Sequence, residues 1–224
     1  MVPSRPVDAA ARHPRSSCDP ALGVEGLCCM RGDRAVFEDF AFALEPGGIV
    51  QIEGPNGSGK TTLLRAVCGL APVEAGTIYW RGTPRDEVDD EFRAALTYIG
   101  HVPGVKRDLT ARENLAAWRA LGTGQSTRTP DAAFDRAGLS GLEDTPLRYL
   151  SAGQVRRVAL ARLLAIPTPL WLLDEPLTAL DADGKALLET LLCEHAAGGG
   201  MTVISTHHQL NLADTPVQRI RLGD

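Results

Sequence analysis

The chain has 224 residues, a formal net charge of −5 and 44% hydrophobic residues, enough for one large α/β domain or a core with an inserted lobe. That hydrophobic content excludes wholesale disorder, and the acidic balance disfavours nucleic acid, whose binding draws on a basic surface. No apolar run approaches the roughly 20 residues of a membrane-spanning helix, so work at a membrane requires another chain to do the spanning.

Residues 1–20 include Pro3, Pro6, Pro14 and Pro20 and no uninterrupted apolar segment. They read as a disordered extension and not as a secretory signal. From Leu22 the pattern turns to short alternating or apolar runs, "LGVEGLCCM", "RAVFEDFAFAL" and "GGIVQIEG". These predict strands, with a turn at Glu45-Pro46-Gly47-Gly48. "GKTTLLRAVCGL" has helical apolar spacing and closes at Gly69, and "GTIYWRG" is another short strand. The middle changes character: "ARENLAAWRALG", "PDAAFDRAGL" and "AGQVRRVALARLLA" all have helical periodicity. Strand character returns in "LWLLD" and "MTVIST", on either side of the helical "DGKALLETLLCEHAA". This order predicts an α/β core over residues 21–224, with a helical lobe at about residues 106–158 inserted in it.

The cysteines Cys18, Cys28, Cys29, Cys68 and Cys193 are odd in number and show neither CxxC nor CxxCH spacing, which fits a reducing compartment. Adjacent Cys28 and Cys29 project to opposite faces of a strand, so they read as small strand hydrophobes and not as a shared metal site.

Gly54-Pro55-Asn56-Gly57-Ser58-Gly59-Lys60-Thr61 matches the phosphate-loop pattern GxxxxGK[ST]. A glycine-rich turn can mimic part of that pattern. Here the strand "IVQIE" runs in and a helix runs out, the context a phosphate loop requires. The glycines let the backbone curl until successive N–H groups face phosphate oxygens, and the helix N-terminus adds its positive dipole. The spacing assigns Lys60 to the β- and γ-phosphates of ATP and Thr61 to Mg²⁺, with Thr62 next in the first helical turn. Further on, "PLWLLDEP" is an apolar run ending in Asp174-Glu175, as a buried strand delivers carboxylates at its carboxyl end. Asp174 is the expected Mg²⁺ partner, and Glu175 the expected general base that polarises an attacking water.

With these two motifs and "LSAGQ", Leu150 to Gln154, in order, the chain resembles the nucleotide-binding subunits of ATP-binding cassette (ABC) transporters. The resemblance covers nearly all of residues 21–224. It implies the ABC ATPase fold: a P-loop NTPase core, an N-terminal antiparallel β-subdomain and an inserted α-helical subdomain. The family's signature is usually LSGGQ, so Ala152 stands in for a glycine. Alone, "LSAGQVRRVALAR" would read as an ordinary N-capped amphipathic helix. Within the family, two copies stack head to tail. The resemblance then implies that Ser151, Gly153 and Gln154 of one copy close over the ATP held by the other's phosphate loop, with a helix N-terminus facing the γ-phosphate. "TALDAD" looks like the D-loop, which places Asp181 near the dimer seam. "ISTHHQ" looks like the switch region, with His207 as its catalytic histidine and His208 a surface neighbour. Two positions depart from the general pattern. His101 falls where the family has the Q-loop glutamine that senses Mg²⁺ and the membrane partner. Arg31 falls where an aromatic ring normally stacks on adenine, a task a guanidinium can also perform.

"VQIEGPNGSGKTTLLR", "YIGHVPGVK", "LSAGQVRRVALARL" and "LWLLDEPLTALDADG" are together similar to the ATP-binding subunits of the bacterial cytochrome c maturation system, the haem exporters. That resemblance implies an ATP-hydrolysing, energy-coupling subunit that binds ATP and Mg²⁺. It also implies a peripheral place on the cytoplasmic face of the inner membrane, a second copy of the chain and integral membrane subunits as partners, and no nucleic acid. A single histidine in a nucleotide-sensing loop reads more simply as His101 in that loop than as a haem ligand. Two alternatives stay open: an ATPase serving an exporter of another small substrate, and a soluble ABC-type ATPase acting on DNA or ribosomes. The soluble relatives carry long coiled-coil insertions or a second cassette, and neither is present here.

Overall fold

The computed structural model describes residues 21–121, 129–213 and 215–223. The extension assigned to residues 1–20 lies outside the described residues. Strands β1 (Leu22–Arg31) and β2 (Arg34–Leu44) form a long antiparallel hairpin, which turns at Gly32 with φ +62°. The left-handed backbone there suits a residue without a Cβ. β3 (Ile49–Glu53) leads through the phosphate loop into α1 (Lys60–Val67). β4 (Ala75–Trp80) and the short β5 (Thr83–Pro84) return to complete an antiparallel sheet of order β2-β1-β4-β5. Helix α2 (Asp89–Ala95) then feeds β6 (Leu96–Ile99), and α3 (Ala111–Leu121), α4 (Pro130–Arg136) and α5 (Ala152–Ala165) follow. β7 (Leu170–Asp174), α6 (Ala182–Ala197), β8 (Met201–Ser205) and β9 (Val217–Arg221) complete a second, wholly parallel sheet of order β6-β7-β8-β3-β9.

The residues explain this layering. Every residue of "LWLLD" and "MTVIS" is buried, because central parallel strands are covered on both faces and need apolar side chains on both. β9, "VQRIR", sits at the sheet edge and turns Gln218, Arg219 and Arg221 to solvent, the polar dressing that keeps an edge from pairing with another chain. Between the two sheets lies one apolar layer, in which Leu22, Val24, Leu63 and Val67 pack with Trp80 against Phe92 at 5.5 Å between ring centroids. The other face of the parallel sheet packs Leu173 and Ile204 against Leu160, Leu163, Leu188 and Leu192.

The helices between β6 and β7 have their own core of Leu115, Phe134, Leu139, Leu147, Val155 and Val158. Local chemistry sets where they start. Thr110 and Glu113 exchange hydrogen bonds as a capping box for α3: Thr110 N–H donates to Glu113 Oε2 (2.8 Å) and Glu113 N–H to Thr110 Oγ1 (3.1 Å). Thr129 caps α4, with Pro130 at its first turn. α5 belongs to both layers: Val155, Val158 and Ala161 face the lobe, while Ala159, Leu160 and Leu163 face the parallel sheet. A helix with apolar residues on more than one side packs against more than one layer. The lobe limit expected at Val158 therefore falls inside a continuous helix that runs on to Ala165. No helix among the described residues is long and apolar enough to cross a membrane.

Candidate functional site

The carboxyl ends of β3, β7 and β8 lie side by side, with Ile52 and Asp174 both in register with Ser205. Open parallel sheets bind ligands at this edge. The loop leaving β3 holds backbone shapes that only glycine tolerates. A Cβ on Gly54 (φ +142°) would lie 2.3 Å from the Leu222 carbonyl oxygen, and one on Gly59 (φ +102°) 2.3 Å from Val36 Cγ1. Gly57 (φ +86°) has no atom within 4 Å of its Cβ position, and Pro55, Asn56 and Gly57 are exposed. Gly59 is the N-cap of α1 but offers no side-chain cap. The helix start, with its positive end, is thus left for an anion. Ser58 Oγ is buried with no hydrogen-bond partner, a polar atom at the loop that a phosphate oxygen would satisfy. These features fit a nucleoside triphosphate. A cavity of about 450 Å³ opens beside Gly54, between Glu53, His207, His208 and Arg219.

Lys60, only 7% exposed, donates to the Gly54 (2.8 Å) and Pro55 (3.1 Å) carbonyls and lies 3.8 Å from Glu175 Oε1. Thr61 Oγ1 donates to Asp174 Oδ2 at 2.8 Å, joining the phosphate helix to the end of β7. Asp174 is fully buried, and its other oxygen accepts from Ser205 Oγ at 2.7 Å. Ser205 Oγ in turn accepts from the Glu175 N–H at 3.0 Å, and the Ser205 carbonyl oxygen accepts from the same N–H, also at 3.0 Å. Those contacts hold Glu175 at φ +47°, a strained setting for a residue with a Cβ. Its carboxylate is thereby placed between Lys60 and His207 Nδ1, the latter 3.3 Å from Oε2. Thr62 is half-buried in the first turn of α1. The expected residues Lys60, Thr61, Asp174, Glu175 and His207 thus form one contiguous cluster.

A second cluster surrounds the start of α5. Ser151 and Gln154 form a capping box: Ser151 N–H donates to Gln154 Oε1 (2.9 Å) and Gln154 N–H donates to Ser151 Oγ (3.2 Å). Both side chains serve the helix start itself. Gly153 is small because the Ala179 carbonyl oxygen would come within 2.9 Å of a Cβ there. Asp181 N-caps α6 through the Gly184 N–H (2.9 Å) and pairs with Arg157 (2.6 Å). The backbone bond and then the guanidinium hold its carboxyl below the usual carboxylate range. Within one chain these residues meet each other and make no hydrogen bond to the phosphate-loop cluster. Ser151 remains exposed.

His101 follows the end of β6, one residue beyond Gly100, and its side chain is exposed. Among the described residues no group of three or more His, Cys, Asp or Glu side chains is placed to hold a metal. Arg31 ends β1 on the exposed turn of the first hairpin. Two functional residues had no signal of their own in the motifs. Ser205 ends an apolar strand and was legible only as part of "VIST". Arg156, 4% exposed, donates to the carbonyls of Gly100 (3.1 Å) and His101 (2.9 Å), and so ties the His101 loop to α5. Its neighbour Arg157 ties the same helix to Asp181.

The family described as "ABC transporter" matches residues 37–178. The chain is 48% identical over 204 residues to the cytochrome c biogenesis ATP-binding export protein CcmA of Hahella chejuensis, covering 91% of this chain and 96% of that protein. It is 46% identical over 208 residues to the CcmA protein of Vibrio parahaemolyticus, covering 91% and 100%. Among solved structures it is similar to a putative ABC transporter ATP-binding protein from Pyrococcus furiosus, at TM-score 0.75 and 26% identity over 90% of this chain and 96% of that one. It is similar also to the ATP-binding cassette MJ0796, solved as a dimer in a post-hydrolysis state with ADP and Pi, at TM-score 0.76 and 25% identity over 90% and 94%. The phosphate loop, the Asp174-Glu175 strand end, the capped signature helix and these similarities agree: the chain belongs to the ABC transporter family, as an ATP-binding subunit with the ABC ATPase fold.

Proposed function

We propose that the chain hydrolyses ATP as the energy-coupling subunit of a haem-handling export complex in c-type cytochrome biogenesis. The observation that carries the chemistry is the cluster of Lys60, Thr61, Asp174, Glu175 and His207 at one sheet edge. The 48% identity to CcmA supports the biological setting. In this reading the loop from Gly54 to Gly59 cradles the phosphates. Lys60 moves from the loop carbonyls it now contacts to the β- and γ-oxygens. Thr61 and Asp174 offer hydroxyl and carboxylate oxygens, the hard donors suited to Mg²⁺, which when bound neutralises phosphate charge. Glu175 accepts a proton from the attacking water as the new P–O bond forms and the bond to the ADP oxygen breaks. His207, beside the same carboxylate, positions the γ-phosphate and Glu175 together.

Ser151, Gly153, Gln154 and Asp181 act on the nucleotide of a second copy in a head-to-tail dimer, because in one chain their cluster is separate from the phosphate loop. Arg31 contributes to holding the base, and His101 monitors the nucleotide from the loop that Arg156 anchors. Integral membrane subunits of a cytochrome c maturation complex hold the dimer at the cytoplasmic face of the inner membrane.

Glu175→Gln tests the chemistry. It keeps the side chain's shape and removes the base, so turnover falls by about 10²–10⁴ while ATP stays bound and the dimer becomes trapped. Normal hydrolysis by this variant would refute the assignment. The setting is tested by purifying the chain with its membrane subunits: ATP turnover that is indifferent to haem and to cytochrome c maturation partners would refute it.

A further inference from the structure

β3 lies between β8 and β9 in the parallel sheet, and its residues alternate between two apolar layers. Val50 and Ile52 pack in the layer shared with the antiparallel sheet, and Ile49 in the layer that holds Leu188 and Leu192 of α6. Gln51 shares Ile49's face, is only 1% exposed, and stands in register with Ile204 of that same layer. A leucine or methionine would continue the layer there. Glutamine instead buries an amide, which costs stability unless both its ends are paired. One end is paired: Nε2 donates to the His208 carbonyl at 3.2 Å, whereas Oε1 is buried without a hydrogen-bond partner. A carbonyl can only accept, so the amide cannot be turned the other way round. This half-satisfied side chain is a poor contributor to the core, and its bond goes to a loop.

That loop is the switch region. Thr206 is fully buried, and its N–H donates to the Ile52 carbonyl at 3.2 Å. Leu210 is buried again, in the layer with Ile204. Between them His207 and Gln209 are exposed. The His207 side chain, 62% exposed, rests against Glu175 Oε2 at 3.3 Å and the His208 ring at 4.2 Å between centroids. Packing encloses it too little to fix it, so its position follows the backbone that carries it. Thr206 ties that backbone to the sheet on one side of His207. On the other side the His208 N–H turns back to Thr206 Oγ1 (3.1 Å), a bond internal to the loop, and Gln51 ties the His208 carbonyl to β3.

We infer that Gln51 is a positioning residue for ATP hydrolysis: its amide tethers the switch loop to β3 and so keeps the His207 imidazole beside Glu175. The inference rests on the proposed role of His207 at the γ-phosphate.

The test uses the full chain, purified with its membrane subunits for turnover and alone for stability. Gln51→Met keeps the side chain's length and removes the donor. Its Tm should match or exceed the native value, because an apolar side chain replaces a half-paired amide. KM for ATP should hold, since the phosphate loop is untouched. The kcat should fall by about 10–100-fold, the scale on which a displaced catalytic group slows a reaction. His207→Ala should lower kcat at least as far, and the double variant should be little slower than His207→Ala, because both substitutions act through one imidazole. Native kcat in Gln51→Met, with His207→Ala impaired, overturns this inference alone. So does a kcat loss that multiplies with that of His207→Ala, which would place Gln51 outside the His207 route. A marked drop in Tm with Gln51→Met also overturns it, by making the glutamine part of the core. Native kcat in His207→Ala overturns the reading of His207 beneath it.

Discussion

Ser205→Ala removes one buried oxygen that links the Asp174 carboxylate to the backbone N–H of Glu175. Two interactions go: the bond donated to fully buried Asp174 at 2.7 Å, and the one accepted from Glu175 N–H at 3.0 Å. A hydrogen bond to a charged group contributes about 1.5–3 kcal/mol. The second bond contributes less, about 0.5–1 kcal/mol, since the Glu175 N–H keeps the Ser205 carbonyl as acceptor. Together they predict a loss of about 2–4 kcal/mol, or roughly 4–16 °C in Tm for a domain of this size. Because Ser205 also holds Glu175 at φ +47°, turnover should fall more than nucleotide affinity. Thermal unfolding, ATP binding and ATP turnover of the same preparation check this. A variant with native Tm and native turnover would refute the claim that this hydroxyl organises the site.

Lys60→Ala should weaken ATP binding by at least about tenfold, the loss of one charge-assisted contact of about 1.5–3 kcal/mol, measured by nucleotide titration with circular dichroism unchanged. Arg156→Met should cost about 1–3 kcal/mol of stability and raise amide exchange around His101, while the affinity of the phosphate loop for ATP holds; unchanged exchange there would remove Arg156 as the anchor of that loop. His195 stacks on Trp171 at 3.7 Å, and burial lowers its pKa to about 4. Its folded pKa lies below its unfolded value of about 6.5, so the unfolded chain binds the extra proton between those values. Stability due to this group is therefore present above about pH 6.5 and is lost as the pH falls toward 4. Partial exposure limits the loss to at most about 3 kcal/mol. His195→Phe should flatten that acid limb in thermal melts at pH 4–7, and an unaltered limb would assign it to other groups.

Chemistry encoded within a few consecutive residues was legible in the sequence. The phosphate loop needs glycine at set offsets because its backbone must curl, and Gly54 and Gly59 do occupy positions where a Cβ would strike Leu222 and Val36. The apolar run before Asp174-Glu175 announced a buried strand that ends in carboxylates, and the small polar start of α5 announced a capped helix. Relations between distant segments were not legible, because they depend on strand order and on which side chains the packing turns inward. β9 reads as a polar stretch and becomes a strand only because β3 has a free edge beside it. Ser205 becomes the bridge between Asp174 and Glu175 because β8 lies in register with β7. Asp181 stood in a dimer motif, yet its carboxylate is already engaged by Arg157 across 24 residues of sequence. Within "QVRRVALAR" nothing tells which partner each of the three arginines takes. Tertiary packing gives Arg156 two carbonyls, gives Arg157 a carboxylate, and lays Arg162 over the Trp118 ring with a single carbonyl in reach, since a charge's partner is set by what surrounds it in space and not by its neighbours in the chain.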